Sequence, residues 1–197
     1  MPQQAPETKL PEWPIQLPHQ PPFRLLDKVL SVDLERGQLV AQRRLTAGDA
    51  LWPAESSLPG LGALSAMPAA GDRFPEVLII EALCQAAACL NSLSLAKLAD
   101  ASGDHLGYLV AISDFRFPAI ENFAGSPDPG PGPGPGPGPA AARPAAIGET
   151  LILHVERQGS LGALCAFQAR AEALAPDIAA KPREIAAGRL LFAVSPK

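Results

Sequence analysis

The sequence predicts an α+β fold in which an antiparallel sheet is wrapped around one long central helix. The stretch from Val77 to Leu98 is apolar almost all the way round, which indicates a helix with protein on nearly every side. Shorter runs with the periodicity or composition of strands lie before it and, mainly, after it. One helix followed by consecutive strands favours a helix that packs on one face of an antiparallel sheet.

Each predicted strand has its own local signal. Residues Gln38 to Leu45 follow Gly37 and alternate apolar with polar side chains, as a half-buried strand does. The runs Thr150 to Arg157 and Ala163 to Ala173 flank a short connection, Gln158 to Gly162, and this is the pattern of a β-hairpin. The other predicted strands are Tyr108 to Phe117 and Ile185 to Val194.

Two stretches predict little regular structure. Met1 to Pro14 is rich in Pro and Gln, and we expect a poorly ordered N-terminal segment over residues 1–16. Residues 126–144 contain a Gly-Pro alternation, Pro129 to Pro139, which can form neither a helix nor a sheet ladder. We therefore predict a single domain over residues 17–197 with a Pro/Gly-rich insertion at about 126–144.

Charge and hydropathy exclude two classes of partner. The net charge is −4, and the arginines are scattered singly instead of forming the basic stripe that a phosphate backbone requires. The most apolar run, Val77 to Leu90, is shorter than the ~20 residues that span a bilayer. We therefore expect neither nucleic acid binding nor a membrane span.

The cysteines and the N-terminal region indicate the cellular compartment. Cys84, Cys89 and Cys165 lie in apolar stretches without CxxC spacing, which suits buried thiols in a reducing compartment better than disulfides or zinc. Prolines interrupt the first apolar segment and leave no continuous core for a signal peptide. We expect a cytoplasmic protein that needs no metal and no cofactor.

Two segments carry a resemblance to a known family. Leu17 to Val29 contains Pro18-His19 and Pro22-Phe23, followed by an apolar run that ends in Asp27. Pro75 to Ala87 carries Glu81 and Gln85 four residues apart. In a helix that is otherwise apolar, the burial of two such polar groups costs free energy. Both segments resemble the bacterial 3-hydroxyacyl-acyl-carrier-protein dehydratases. Later strands match in the same order, over Gly107 to Ile112, Phe115 to Pro118 and Gly188 to Val194.

The resemblance implies a hotdog fold, a dimer joined through an extended sheet, and acyl thioesters delivered by an acyl carrier protein. In that family a histidine of a His-Phe-Pro-Gly motif acts as base on the α-carbon, and a carboxylate of the helix protonates the leaving hydroxyl. The two groups come from different subunits. Glu81 occupies the carboxylate position here, Gln85 is placed to orient it, and Glu76, Val77 and Phe117 are the candidate substrate-binding residues.

The sequence departs from the family pattern at the base. The catalytic histidine is expected between Ala50 and Gly71, and that stretch contains no histidine. Glu55-Ser56-Ser57 stands near its place, and the glycine expected before Val77 is Glu76. The loss of a general base costs ~10² to 10⁴ in rate, so the sequence does not predict ordinary dehydratase activity for a homodimer.

The remaining ionisable residues leave alternatives open. His19 is either a substitute base or a residue with a local structural role, since the family's opening motif has a histidine there beside a separate catalytic one. Glu81 is either the general acid or a structural carboxylate that bonds Gln85. His154 lies on the polar face of its strand, where a solvated or neighbour-bonded side chain is expected, and His105 falls in a turn.

Two classes of function follow. The first is an enzyme, a hydro-lyase or alternatively a thioesterase, that acts on acyl-carrier-protein thioesters in fatty-acid or polyketide/polyene-type synthesis. The second is a non-catalytic acyl-binding or partner subunit, which lends Glu81 to a mixed dimer with a related dehydratase. A homodimer and a heterodimer both agree with the resemblance, and a structural protein without an acyl ligand also stays open.

Overall fold

The computed structural model describes residues 23–46, 74–98, 106–118, 144–177 and 180–195. These residues form one helix and six strands. In chain order they are β1 (Lys28–Asp33), β2 (Gln38–Arg44), α1 (Glu76–Leu98), β3 (Leu106–Arg116), β4 (Thr150–Leu161), β5 (Leu164–Leu174) and β6 (Arg183–Ser195).

The six strands form one antiparallel sheet in the order β1-β2-β4-β5-β6-β3. Strand β3 follows the helix in sequence but pairs with β6, the last strand, and so it lies at one edge of the sheet. Strand β1 lies at the other edge. In the described residues one long helix packs against an antiparallel sheet, and the predicted α+β class is confirmed.

Helix α1 packs against one face of this sheet and contacts every strand from β2 to β6. Small side chains let its backbone come close to the sheet, and Ala82, Ala86 and Ala87 are fully buried. The facing strands contribute alternate apolar residues to the same core, because successive side chains of a strand point to opposite faces. The largest of these fully buried side chains are Leu39, Leu151, Leu153, Phe167 and Leu190.

Helix α1, Glu76–Leu98, is longer than the apolar run Val77 to Leu90 on which the expectation of no membrane span was based. Over Glu76–Leu95 its mean hydropathy is 1.6, so length and composition alone would allow it to cross a bilayer. The core helix of a folded domain meets the same criterion, and 61% of this stretch is buried inside the protein. Burial against the sheet, and not shortness, is therefore the reason to interpret α1 as a core helix.

The first strand and the hairpin differ from the expectation from sequence. The apolar run that ends in Asp27 is irregular over residues 24–26, and β1 begins at Lys28, where no strand was predicted. The β4–β5 connection is also shorter than predicted, because Leu161 pairs with Leu164 and leaves a two-residue turn. Gly162, the first turn residue, has φ 57°, a value that glycine adopts without strain and that a tight hairpin turn requires.

Candidate functional site

Glu81 and Gln85 lie one turn apart on α1, and their side chains contact each other. The Gln85 Nε2 donates a hydrogen bond of 3.0 Å to Oε1 of Glu81. Residues four apart on a helix share a face, which is why the sequence spacing indicated this pair. The structure therefore brings together the two residues that the sequence analysis placed at the centre of the site.

Gln85 is held by three hydrogen bonds. Its Oε1 accepts the backbone N–H of Leu25 at 2.9 Å, and its Nε2 donates to the carbonyl oxygen of Phe23 at 2.8 Å as well as to Glu81. The side chain is only 1% exposed. Because both sides of the amide are engaged, its orientation is fixed, and the segment that precedes β1 is tied to the helix beside Glu81.

Val77, one turn before Glu81 on the same helix face, is an exposed apolar side chain, with 67% of its surface accessible. Phe23, whose backbone carbonyl accepts from Gln85, is 71% exposed. Glu81 itself is half-buried. A half-buried carboxylate on the same helix face as an exposed apolar side chain is suited to a ligand that has a polar reacting centre and an apolar chain.

The two thiols on α1, Cys84 and Cys89, are poor nucleophiles. Burial, with a smaller contribution from the negative charge of Glu81, raises the pKa of Cys84 to about 12 from 9.0. Burial alone raises the pKa of Cys89 to about 12. Since the thiolate is the nucleophilic form, neither thiol is suited to nucleophilic catalysis at neutral pH.

The other predicted site residues are spread over two elements. Glu76 lies in the first turn of α1, and Phe117 follows β3, where its ring centroid is 6.3 Å from that of Phe115. His19 and residues 50–71, where the resemblance places the base, lie outside the described residues, as does His105. In the part of the chain that the structure describes, no group of three or more His, Cys, Asp or Glu side chains is arranged to hold a metal ion.

His154 lies on the face of the sheet opposite α1. Its Nε2 is 3.2 Å from Oε2 of Glu172, and Arg170 reaches the other carboxylate oxygen at 3.1 Å. His154 and Arg170 border an outer-face groove of 410 Å³, whose lining also includes Glu156 and Glu184. The His154 ring is thus bonded to a neighbour and is separated from Glu81 by the sheet.

Glu149 and Arg183 form a buried ion pair that the sequence analysis did not single out. Arg183 Nη2 is 2.5 Å from Oε2 of Glu149, and the two side chains are 11% and 3% exposed. Arg183 is the first residue of β6, and Glu149 immediately precedes β4. The sequence offered only a weak signal, a glutamate after a turn glycine at the start of a strand, and nothing in it indicated the partner.

Curated sequences similar to this chain include dehydratases of one family, although no protein-family model matches the chain. The chain is 40% identical over 92 residues to 3-hydroxyacyl-acyl-carrier-protein dehydratase FabZ of Chlamydia caviae, a match that covers 47% of this chain and 52% of the relative. It is 38% identical over 105 residues to FabZ of Anaeromyxobacter dehalogenans, with 51% and 55% covered. The chain therefore spans about half the length of the curated relatives it matches.

Solved structures extend the likeness to most of the chain. The dehydratase heterocomplex ApeI:P of Xenorhabdus doucetiae is similar with a TM-score of 0.55 and 16% identity, over 91% of this chain and 88% of that one. A thioesterase family protein of Silicibacter pomeroyi has a TM-score of 0.51 and 11% identity, over 86% and 85%. At these identities the likeness shows the fold alone, and the predicted hotdog fold is confirmed.

Proposed function

Because this hotdog chain is related to the 3-hydroxyacyl-acyl-carrier-protein dehydratases, we propose that it binds or processes acyl thioesters of a carrier protein, with Glu81 as its reactive group. The relatives are 31–40% identical to it over about half of its length. Fatty-acid or polyketide/polyene-type synthesis is the setting in which such thioesters arise, and the cytoplasm is the compartment that we expect.

The observation that carries this proposal is the Glu81–Gln85 hydrogen bond on a half-exposed face of an apolar helix. Gln85 donates to Oε1 of Glu81 and thereby orients the carboxyl group. A protonated carboxyl group is the donor that a leaving hydroxyl needs when a 3-hydroxyacyl thioester loses water. Val77, one turn away on the same helix face, is 67% exposed and offers an apolar contact for the acyl chain.

We propose further that the chain acts as a dimer through strand β3. This edge strand exposes Tyr108, Leu109, Val110 and Ile112, which are 41–55% exposed in the single chain. An edge strand with unpaired backbone groups and a run of apolar side chains is a template for pairing with another strand. Pairing through β3 would bury these side chains and would place a second hotdog chain beside α1.

The missing histidine decides which kind of dimer is expected to be active. Residues 50–71 contain no histidine, so a homodimer has the acid but lacks the base of the related dehydratases. A mixed dimer with a histidine-bearing dehydratase would have one complete site, made of the partner's base and Glu81. The ApeI:P dehydratase is a heterocomplex, so a mixed assembly has a precedent in this fold.

The test compares the purified chain with a co-expressed pair. We expect the chain alone to show little hydration of a crotonyl thioester, and we expect its complex with a dehydratase from the same genome to be active. The Glu81→Gln variant keeps the shape and the acceptor for Gln85 but removes the acid, and it should lower the activity of the mixed dimer by about 10²-fold or more.

Three results separate the alternatives. Turnover by the chain alone that depends on Glu81 would show that it is an enzyme by itself and that its base lies elsewhere, with His19 as the first candidate. A rise in melting temperature with an acyl-pantetheine thioester, without turnover in either preparation, would indicate an acyl-binding subunit. If neither preparation binds or converts a thioester, the proposed function is wrong.

A further inference from the structure

The buried Glu149–Arg183 pair is part of a larger hydrogen-bonded cluster. We call this cluster the corner, and it comprises residues 144–149 and Arg183. Besides accepting from Arg183, Oε2 of Glu149 accepts the backbone N–H of Ala146 at 2.9 Å. Arg183 Nη2 also donates to the carbonyl oxygen of Pro144 at 3.0 Å. Two side chains that are distant in sequence thus fix the short segment Pro144–Ala146 from both sides.

That segment is hydrogen-bonded to the residue that lies just before helix α1. The backbone N–H of Phe74 donates to the carbonyl oxygen of Ala145 at 2.9 Å, and the Phe74 ring is 1% exposed. Helix α1 begins two residues later, at Glu76. The residue just before the first helical turn is therefore hydrogen-bonded to Ala145. Ala145 lies between Pro144 and Ala146, the two residues that bond the ion pair.

The same corner is hydrogen-bonded to Leu45, the residue that follows β2. The backbone N–H of Leu45 donates to the carbonyl oxygen of Glu149, and the N–H of Gly148 donates back to Leu45, both at 2.9 Å. Leu45, just after β2, and Phe74, just before α1, are thus both hydrogen-bonded to one short segment, residues 144–149.

We propose that Glu149 and Arg183 are positioning residues of the Glu81 site, because they fix the segment that is hydrogen-bonded to Phe74, just before α1, and to Leu45, just after β2. The proposal rests on the function proposed above. Glu81 lies five residues after Glu76, about 7.5 Å along the helix axis, so a shift of the first turn carries directly to the carboxylate. The pair itself has no part in the chemistry and acts through the helix.

The test measures amide hydrogen exchange at the start of the helix and, separately, the affinity for a ligand. Arg183→Met and Glu149→Gln each remove one partner, and Arg183→Lys keeps the charge and can still donate to two acceptors. Arg36→Met is the matched control, because Arg36 pairs with Asp33 at the surface, where the side chains are 77% and 45% exposed. Hydrogen exchange is followed in peptides that cover residues 74–80 and 86–95, and binding is measured with crotonyl-pantetheine.

We expect Arg183→Met and Glu149→Gln to speed amide exchange in residues 74–80 by about tenfold or more, with a smaller change in residues 86–95. At a temperature where the variants are folded, binding should weaken about fivefold, Arg183→Lys should recover part of the loss, and Arg36→Met should change neither readout. If Arg183→Met does not fold, Glu149→Gln and Arg183→Lys decide the question. Unchanged exchange in residues 74–80, or equal loosening of the whole helix, would overturn the positioning role.

The two proposals can fail independently. If the wild-type protein binds no thioester, the proposed function fails, while the exchange measurement still decides whether the pair fixes the helix start. If the wild type binds the thioester and the variants bind it equally well, the positioning role fails and the proposed function stands.

Discussion

Gln85 and Glu81 are joined by a 3.0 Å hydrogen bond, yet the two residues have unequal surroundings. Gln85 is 1% exposed and also bonds the backbone of Phe23 and Leu25, whereas Glu81 is half-buried. Stability should therefore depend on the glutamine, and any chemistry should depend on the glutamate. Substitutions at the two positions separate these contributions.

We predict that Gln85→Leu lowers the free energy of unfolding by about 1–3 kcal/mol for each buried backbone group that it leaves unsatisfied. Glu81→Gln should lower it by less than Gln85→Leu does, because an amide oxygen still accepts from Gln85 and the side chain at position 81 is only half-buried. Gln168→Leu, at an exposed position of β5, is the control for the substitution itself. Urea unfolding measures all three, and equal stabilities for the Gln85 and Gln168 variants would contradict the assigned role of Gln85.

The sequence was sufficient for the elements that have a strong local signal. The helix follows from its long apolar run, the strands β2 to β6 follow from alternation or strand-like composition, and the Glu81–Gln85 contact follows from spacing, since residues four apart on a helix share a face. Strand β1 was not predicted, because Lys28–Asp33 is a short edge strand with a register shift between Val29 and Ser31 and has no clean alternation. Local pattern is weak where a strand has only one neighbour.

Long-range pairs could not be predicted from the sequence. Glu149 and Arg183 are 34 residues apart, and nothing near either residue identifies the other. Their contact depends on the order of the strands, which brings the start of β6 beside the segment before β4. The sequence shows the arginines scattered along the chain without a basic stripe, and it does not reveal that Arg183 pairs with Glu149 or that Arg43 pairs with Asp27 at 2.7 Å.

Breaking the buried pair should have a large effect on stability. We predict that Arg183→Met lowers the free energy of unfolding by about 3–5 kcal/mol, because it leaves the Glu149 carboxylate buried without its counter-charge. Arg36→Met, at the exposed pair with Asp33, should change it by less than about 1 kcal/mol. A combined Arg183→Met and Glu149→Leu variant should be more stable than the sum of the single effects predicts. Additive losses in urea unfolding would mean that the two side chains act separately.

Gly188 is predicted to be intolerant of any side chain. A Cβ at this position would lie 2.2 Å from Cδ2 of Phe115, whose ring packs over the glycine. Gly188→Ala should lower the free energy of unfolding by about 1–3 kcal/mol, the usual cost of overpacking. The control is Gly159→Ala, where a Cβ meets no atom within 4 Å. The loss at Gly188 should shrink in a Phe115→Ala background, and an undiminished loss would exclude the ring as its cause.

The buried thiols predict a loss of stability at alkaline pH. The pKa of Cys84 and that of Cys89 are raised to about 12 in the folded protein, against 9.0 for an ordinary thiol. Above pH 9 the unfolded chain loses these protons while the folded chain keeps them, so stability falls as the pH rises from about 9 to 12. At pH 10.5 the effect should be about 1–2 kcal/mol for each thiol.

The measurement compares chemical unfolding at pH 8 and pH 10.5 in the wild type and in a Cys84→Ala/Cys89→Ala variant. The variant should lose less stability than the wild type over this interval, although its stability at pH 8 is lower because of the smaller side chains. Other groups also titrate in this range, and the comparison cancels their contribution. The same loss in both proteins would show that the two thiols do not cause it.

The last prediction concerns the Pro/Gly-rich insertion, which the sequence predicts at about residues 126–144. Residues 126–143 lie outside the described part of the chain, whereas Pro144 is half-buried and its carbonyl oxygen accepts from Arg183. Ala145, the next residue, holds the start of α1 through Phe74. A deletion of residues 127–142 should therefore change the melting temperature by only a few degrees, because the entropy of loop closure varies slowly with length.

A deletion that continues through residue 146 should behave differently, since it removes the acceptors for Arg183 and Phe74 and the N–H that Glu149 accepts. We expect that longer deletion to lower the melting temperature by about 10 °C or more, in line with the loss of several buried hydrogen bonds. Differential scanning calorimetry of the two deletions and the wild type gives the answer. A large loss in the 127–142 deletion would show that the Pro/Gly tract itself packs on the domain, whereas equal melting temperatures for the two deletions would mean that the corner contributes little to stability.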